Sequence, residues 1–245
     1  MDNIYLVNQA ARLPNPSQIE TLKVAVGSAL PKGYQEFIMK YGGGELNAFL
    51  YLLAPEEILK VTAEWHETLV SDFWDEDAGL SQNLREQCYI LAYSIDSDLF
   101  VFLAEKEKIF CLPRQDNRIY PVGKSLSEMI QWVFRSGKLI SAGDGLFYKP
   151  DGPTSMVRYR NPNPPSLDSF MEAVKVLGLP DYSIRSEEFI DIFYQKWGAH
   201  INYGPRYDQL IVTWNAERTC EFLAVLGEPI AKEGFRMTEK MNVPD

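Results

Sequence analysis

Apolar residues at Ile19, Leu22, Val26 and Ala29 recur at helical spacing near the start of the chain. Ser17 and Glu20, just after Pro16, form a capping-box pattern ahead of them, and Leu30-Pro31 breaks the run. Tyr34, Phe37, Ile38 and Tyr41 mark a second helix, ended by Gly42-Gly43-Gly44 because glycine accepts the left-handed backbone of a helix stop. Phe49–Leu53 reads as a short strand. Pro55, Glu56 and Glu57 then suit a helix start, and Ile58, Thr62, Trp65 and Leu69 continue that helix. Residues 71–87 read as irregular. Four alternating or apolar runs follow, at Tyr89–Ile95, Leu99–Ala104, Ile109–Leu112 and Arg118–Val122, and the short polar turns between them predict an antiparallel meander. Ser125 and Glu128 cap a further helix with Leu126, Met129, Ile130, Val133 and Phe134 on one face and Gly137 as its stop.

The pattern changes over residues 141–165, which hold Gly143, Gly145, Pro150, Gly152, Pro153, Pro162, Pro164 and Pro165. This predicts a connection, with room for one strand at Met156–Tyr159. Ser166 restarts helical periodicity through Leu167, Phe170, Val174 and Leu177, and Gly178 stops it. A further helix is expected over Glu187–Trp197 and a strand over Leu210–Trp214, while residues 216–226 fit either. The expected organisation is a domain over 1–140, the connection, and a smaller α+β unit over 166–245. A weak echo links the halves. Pro16-Ser17 and Leu30-Pro31 repeat their spacing in Pro165-Ser166 and Leu179-Pro180, and Glu36-Phe37-Ile38 returns as Glu188-Phe189-Ile190. That allows a duplicated helix–Leu-Pro–helix unit, or the ordinary recurrence of cap and stop residues.

The formal net charge is −10, which repels phosphate backbones and makes nucleic acid an unlikely direct partner, whereas a basic protein would be attracted. The aromatic content of 13% supplies burial that disordered chains lack. Cys88, Cys111 and Cys220 are widely spaced, without a CxxC pair, and read as buried free thiols in a reducing compartment. Met1–Leu6 has no basic segment ahead of an apolar run, so neither a signal peptide nor a membrane span is expected, and the expected compartment is the cytoplasm.

Candidate chemistry is sparse. The two histidines, His66 and His200, lack metal-ligand spacing, and no metal or cofactor is expected. No nucleophile-elbow or phosphate-loop motif occurs, and the glycine triplet follows a helix, where the dipole is wrong for an anion. A carboxylate-pair hydrolase stays open as the least favoured reading, because acids are abundant and carry little information. One stretch is distinctive. Between Lys60 and Arg85 there is no Lys or Arg, while Glu64, Glu67, Asp72, Asp75, Glu76 and Asp77 mix with Trp65, Phe73 and Trp74. Rings anchor and charges steer at protein interfaces, so Trp65, Asp72, Phe73, Trp74, Asp75, Glu76 and Asp77 are the candidate partner-binding residues. The alternative is a solvated loop whose aromatics tuck into the core.

Val26-Gly27-Ser28-Ala29-Leu30-Pro31, then Tyr34, Phe37, Tyr41 and Gly42-Gly43, then Leu53-Ala54-Pro55-Glu56-Glu57-Ile58, the meander and the helix from Ser125 together resemble the SUKH superfamily over about residues 15–137. That superfamily includes fungal cell-wall-synthesis regulators and bacterial toxin-immunity proteins. Tyr41 stands where the family commonly has Asn before Gly-Gly, and Ile95-Asp96-Ser97-Asp98 where a Gly-Asp pair is common. The resemblance implies an α+β fold with an antiparallel sheet covered by helices. It also implies a non-catalytic binding module, foremost an immunity protein that blocks a toxin by direct binding, with a regulatory or scaffold protein as the alternative. It carries over no catalytic residue and does not fix the oligomeric state.

Overall fold

The chain opens with a three-residue strand, β1 (Ile4–Leu6), followed by α1 (Pro16–Val26). Asn15 caps α1: its side chain accepts from the Gln18 amide at 3.0 Å, and the Gln18 side chain accepts from the Asn15 amide at 2.7 Å. The box therefore lies two residues before the expected Ser17–Glu20 pair, because Pro16 fills the first helical position, where a missing N–H costs nothing. The computed structural model describes residues 4–7, 11–27, 30–75, 79–139, 146–152, 154–216 and 221–243. The chain divides into two units, one built on Ala11–Ala142 and Tyr148–Asp151, the other on Asn3–Ala10, Gly143–Phe147 and Gly152–Asp245.

In the first unit, α2 (Tyr34–Tyr41) ends at Gly42, whose φ of 73° suits glycine. Gly44, expected within the helix stop, instead opens a strand, β2 (Gly44–Leu46), paired with β3 (Leu50–Leu52). Next come α3 (Pro55–Glu64), α4 (His66–Leu69), α5 (Gln82–Arg85), β4 (Cys88–Ser94), β5 (Leu99–Leu103), β6 (Lys108–Leu112), β7 (Tyr120–Gly123) and α6 (Leu126–Arg135). The expected single helix through Leu69 is broken at Trp65, and the expected irregular stretch contains α5. The four expected meander strands form. With Tyr148–Pro150 of β8 (Leu146–Pro150) they build an antiparallel sheet in the order β8-β2-β3-β4-β5-β6-β7. Every residue of β5 is buried, which is why Leu99–Leu103 is a continuous apolar run without alternation. Trp132 of α6 packs edge-on to Phe100, and Thr62 of α3 accepts a hydrogen bond from the Ile90 amide at 2.9 Å.

The second unit contains β9 (Thr154–Arg160), α7 (Leu167–Val174), β10 (Tyr182–Arg185), β11 (Ile190–Tyr194), β12 (Ala199–Gly204), β13 (Gln209–Asn215), α8 (Glu221–Lys232) and β14 (Arg236–Val243). Its antiparallel sheet runs β10-β11-β12-β13-β9-β14. The strand expected at Met156–Tyr159 forms as β9 and is interior to the sheet, paired with β13 on one side and β14 on the other. One expectation is corrected here. The helix expected over Glu187–Trp197 is a strand and a turn: Ile190, Ile192 and Tyr194 face the α7/α8 core while β11 pairs with β10 and β12. Tertiary pairing overrides the helical reading of a run rich in β-branched and aromatic residues. The echo accordingly does not give a duplicated helical hairpin, because Glu36-Phe37-Ile38 lies in α2 and Glu188-Phe189-Ile190 leads into β11. Residues 221–232 settle as helix. The fold class is α+β in both units.

Three hairpins share one turn design. A three-residue 3-10 turn at Ala104–Lys106, Gln195–Trp197 or Pro205–Tyr207 is followed by one left-handed residue, Glu107, Gly198 or Asp208. Among the described residues no helix is long and apolar enough to cross a membrane.

Candidate partner-binding groove

The break at Trp65 creates the first wall of a groove. Trp65 ends α3 and precedes α4, and its ring stacks on Tyr93 of β4 at 5.8 Å, which in turn stacks on Tyr51 of β3 at 5.3 Å. The buried Leu69 anchors α4, after which the chain crosses to the loop beyond β6. There the Trp74 indole N–H donates to the Pro113 carbonyl at 2.7 Å and the Asp75 amide to the Asn117 carbonyl at 2.8 Å. Arg85, 1% exposed, holds the segment from below. Its guanidinium donates to the carbonyls of Leu69 at 2.8 Å, Ser71 at 2.7 Å and Leu80 at 3.2 Å.

These contacts enclose a groove of about 550 Å³ lined by Trp65, Phe73, Trp74 and Arg114, with Glu64, Thr68, Ser71 and Ser97 between them. Phe73 is 47% exposed and Trp74 is 6% exposed. The expectation of Trp74 as an accessible anchor is corrected: its N–H is satisfied by Pro113, and its ring lies beneath Phe73, edge-on at 5.5 Å. Phe73 takes the exposed position. Asp72, Asp75, Glu64 and Glu67 are exposed; Glu64 lines the groove, and the other three adjoin lining residues in the chain. Glu76 and Asp77 lie outside the described residues. Sequence reading missed Arg85 and Arg114. Arg114 is distant in the chain and enters only because Asp98, 4% exposed, accepts from its backbone amide at 3.0 Å.

Other titratable groups lie outside the groove lining. Burial raises the Glu57 and Asp151 carboxyls above the ordinary carboxylate range. Glu57 accepts from the Ala54 amide at 2.9 Å and Asp151 from the Tyr51 hydroxyl at 2.6 Å, so each already holds a local turn or strand. In the second unit His200 is packed flat on Phe193, with its Nε2 2.6 Å from Asp191, whose same oxygen accepts from Asn202 at 2.8 Å. His66 is exposed. Cys88 and Cys111 are buried, and burial pushes the Cys88 thiol up to about 12. Cys220 lies outside the described residues. Among the described residues no group of three or more His, Cys, Asp or Glu is arranged to hold a metal ion.

Comparison with curated proteins and with solved structures found no match. Comparison with family models matched residues 14–132 to the SMI1 / KNR4 family (SUKH-1), a span that includes every residue lining the groove. The capped α1, the glycine stop of α2, the Pro55 helix, the four-strand meander and the first turns of α6 follow one another within that span, and residues 14–132 are a SUKH-superfamily domain.

Proposed function

We propose that the chain is a non-catalytic protein-binding module: an immunity protein of the cytoplasm that neutralises a toxin by occupying it through the groove face. The observation that carries this reading is the grouping of the exposed Phe73 and half-buried Trp65 in one groove of a SUKH domain, with the exposed acid Glu64 in its lining and the exposed acids Glu67, Asp72 and Asp75 next to lining residues in the chain. Aromatic side chains anchor interfaces through desolvated contact, and unpaired surface charge steers a partner of opposite sign. A basic protein partner fits both features and the net charge of −10. The buried carboxyls do not compete for a catalytic role in this reading, since Glu57 and Asp151 are engaged by Ala54 and Tyr51.

The test is co-purification of the chain from its native host, identification of a stoichiometric partner, and expression of that partner with and without this chain. The expected result is a basic protein whose growth inhibition is relieved by co-expression. A partner whose toxicity is unaffected, or the absence of any stoichiometric partner, overturns the immunity reading.

A further inference from the structure

Resting on that reading, we infer that the groove takes an extended basic segment of the partner. One bulky apolar side chain sits against Trp65 and Phe73, Lys or Arg residues beside it face these acids, and Arg114 donates to the segment's main-chain carbonyls.

The floor of the groove is preformed. Trp74 is buried and hydrogen-bonded, and Arg85 ties the carbonyls beneath it, so little ordering remains to be done on binding. The volume of about 550 Å³ suits a few side chains. Among the described residues the neighbouring acids Glu67, Asp72 and Asp75 form no ion pair, and Glu64, in the lining, pairs with the exposed Lys60 at 3.8 Å. They disfavour phosphate, nucleic acid and acidic segments. A second copy of this chain, at a net charge of −10, is disfavoured too.

Arg114 is the feature that a simple acidic trap does not explain. It is an exposed cation in a groove whose 64–75 wall is otherwise acidic, and the one hydrogen bond of its guanidinium among the described residues is a long 3.5 Å contact to Ser97. Its backbone amide is held by Asp98, which fixes where the side chain leaves the main chain at the groove. A basic ligand supplies no carboxylate for it. The acceptors a basic extended segment does supply are backbone carbonyls, which a planar fork of five donors suits.

The experiment uses the full chain, isotope-labelled for NMR, titrated with three peptides: acetyl-Arg-Lys-Phe-Arg-Lys-amide, the same peptide with Ala for Phe, and acetyl-Glu-Glu-Phe-Glu-Glu-amide. The basic Phe peptide should shift resonances of Trp65, Phe73 and Arg114 and bind about tenfold more tightly than its Ala analogue, while the acidic peptide leaves them unmoved. Equal binding of the Phe and Ala peptides, shifts confined elsewhere, or no saturation by about 5 mM overturns the proposal.

Arg114→Gln gives a test of sign. Removing a cation strengthens a basic ligand if charge alone acts, whereas loss of the carbonyl contacts weakens it by about threefold or more. Unchanged or tighter binding overturns the role of Arg114, with an unaltered thermal midpoint verifying the fold. Failure of the binding-module reading is separable. If the co-purified partner binds Phe73→Ala as tightly as the unaltered chain, the groove assignment falls and the module reading stands. If the peptides saturate the groove while no toxin depends on the chain, the groove assignment stands and the immunity reading falls.

Discussion

The Arg85 guanidinium lies 6.0 Å from the centre of the Trp74 ring while donating to the carbonyls of Leu69, Ser71 and Leu80. A buried cation thus closes the longest stretch of the domain that lacks basic residues, with three carbonyls around its guanidinium. The shape of the groove depends on this pair, because Trp74 is its floor and Ser71 part of its lining.

Arg85→Lys should therefore destabilise the fold by about 2–3 kcal/mol, since a single ammonium does not reproduce a three-carbonyl fork. Urea denaturation gives the magnitude, and hydrogen exchange should show the loss of protection concentrated around residues 69–75. Uniform loss across the domain would contradict the local clamp.

Trp74→Phe removes the hydrogen bond to Pro113 but keeps an aromatic floor. It should cost about 1–2 kcal/mol of stability. Partner affinity should fall far more with Phe73→Ala than with Trp74→Phe, measured by calorimetry. The reverse order would restore Trp74 as the anchor.

Two glycines separate backbone strain from collision. Gly27 has a φ of 70° and open space where a Cβ would stand, so Gly27→Ala should cost about 1 kcal/mol. At Gly44 the Cβ would stand 2.4 Å from the Lys149 carbonyl oxygen across the β2–β8 pair, so Gly44→Ala should cost several times as much, or prevent folding. Denaturation midpoints of the two variants decide this, and equal costs would show that the two strands do not approach as described.

Glu57 and Asp151 give a pH signature. Burial raises both folded-state values above those of the unfolded chain, so the folded state holds these protons more tightly. Their stabilising contribution is fully present below the unfolded values, about 4, and is lost as pH rises through the raised folded values. The double variant Glu57→Gln/Asp151→Asn keeps acceptors for Ala54 and Tyr51 but does not ionise. Its urea midpoint relative to the unaltered chain should increase from about pH 4 toward neutrality. A difference independent of pH would refute the burial of these two carboxyls.

Local chemistry determined much of the first unit. Apolar runs and polar turns mark the four meander strands, Ser125 and Glu128 form the expected capping box, and Gly42 ends α2 as expected, whereas α1 stops at Gly27, ahead of the expected Leu30-Pro31 break. Nearest neighbours decide such features, so they are written in contiguous residues. Contiguous residues also show the acid–aromatic composition of the 64–77 stretch, whereas which of Phe73 and Trp74 faces solvent is not written there.

Only tertiary structure decided what depends on residues distant in the chain. Ile190–Tyr194 became a strand because β10 and β12 pair with it and the α7/α8 core receives alternate side chains. Thr154–Arg160 became an interior strand because β13 and β14 flank it. Trp74 turned inward because the Pro113 carbonyl offered its N–H a buried partner, leaving Phe73 outside. Arg114 joined the groove through Asp98, a contact with no trace in local periodicity. Periodicity states that a residue prefers burial or water, and the partner that satisfies its hydrogen bonds and charge exists only once the chain has folded.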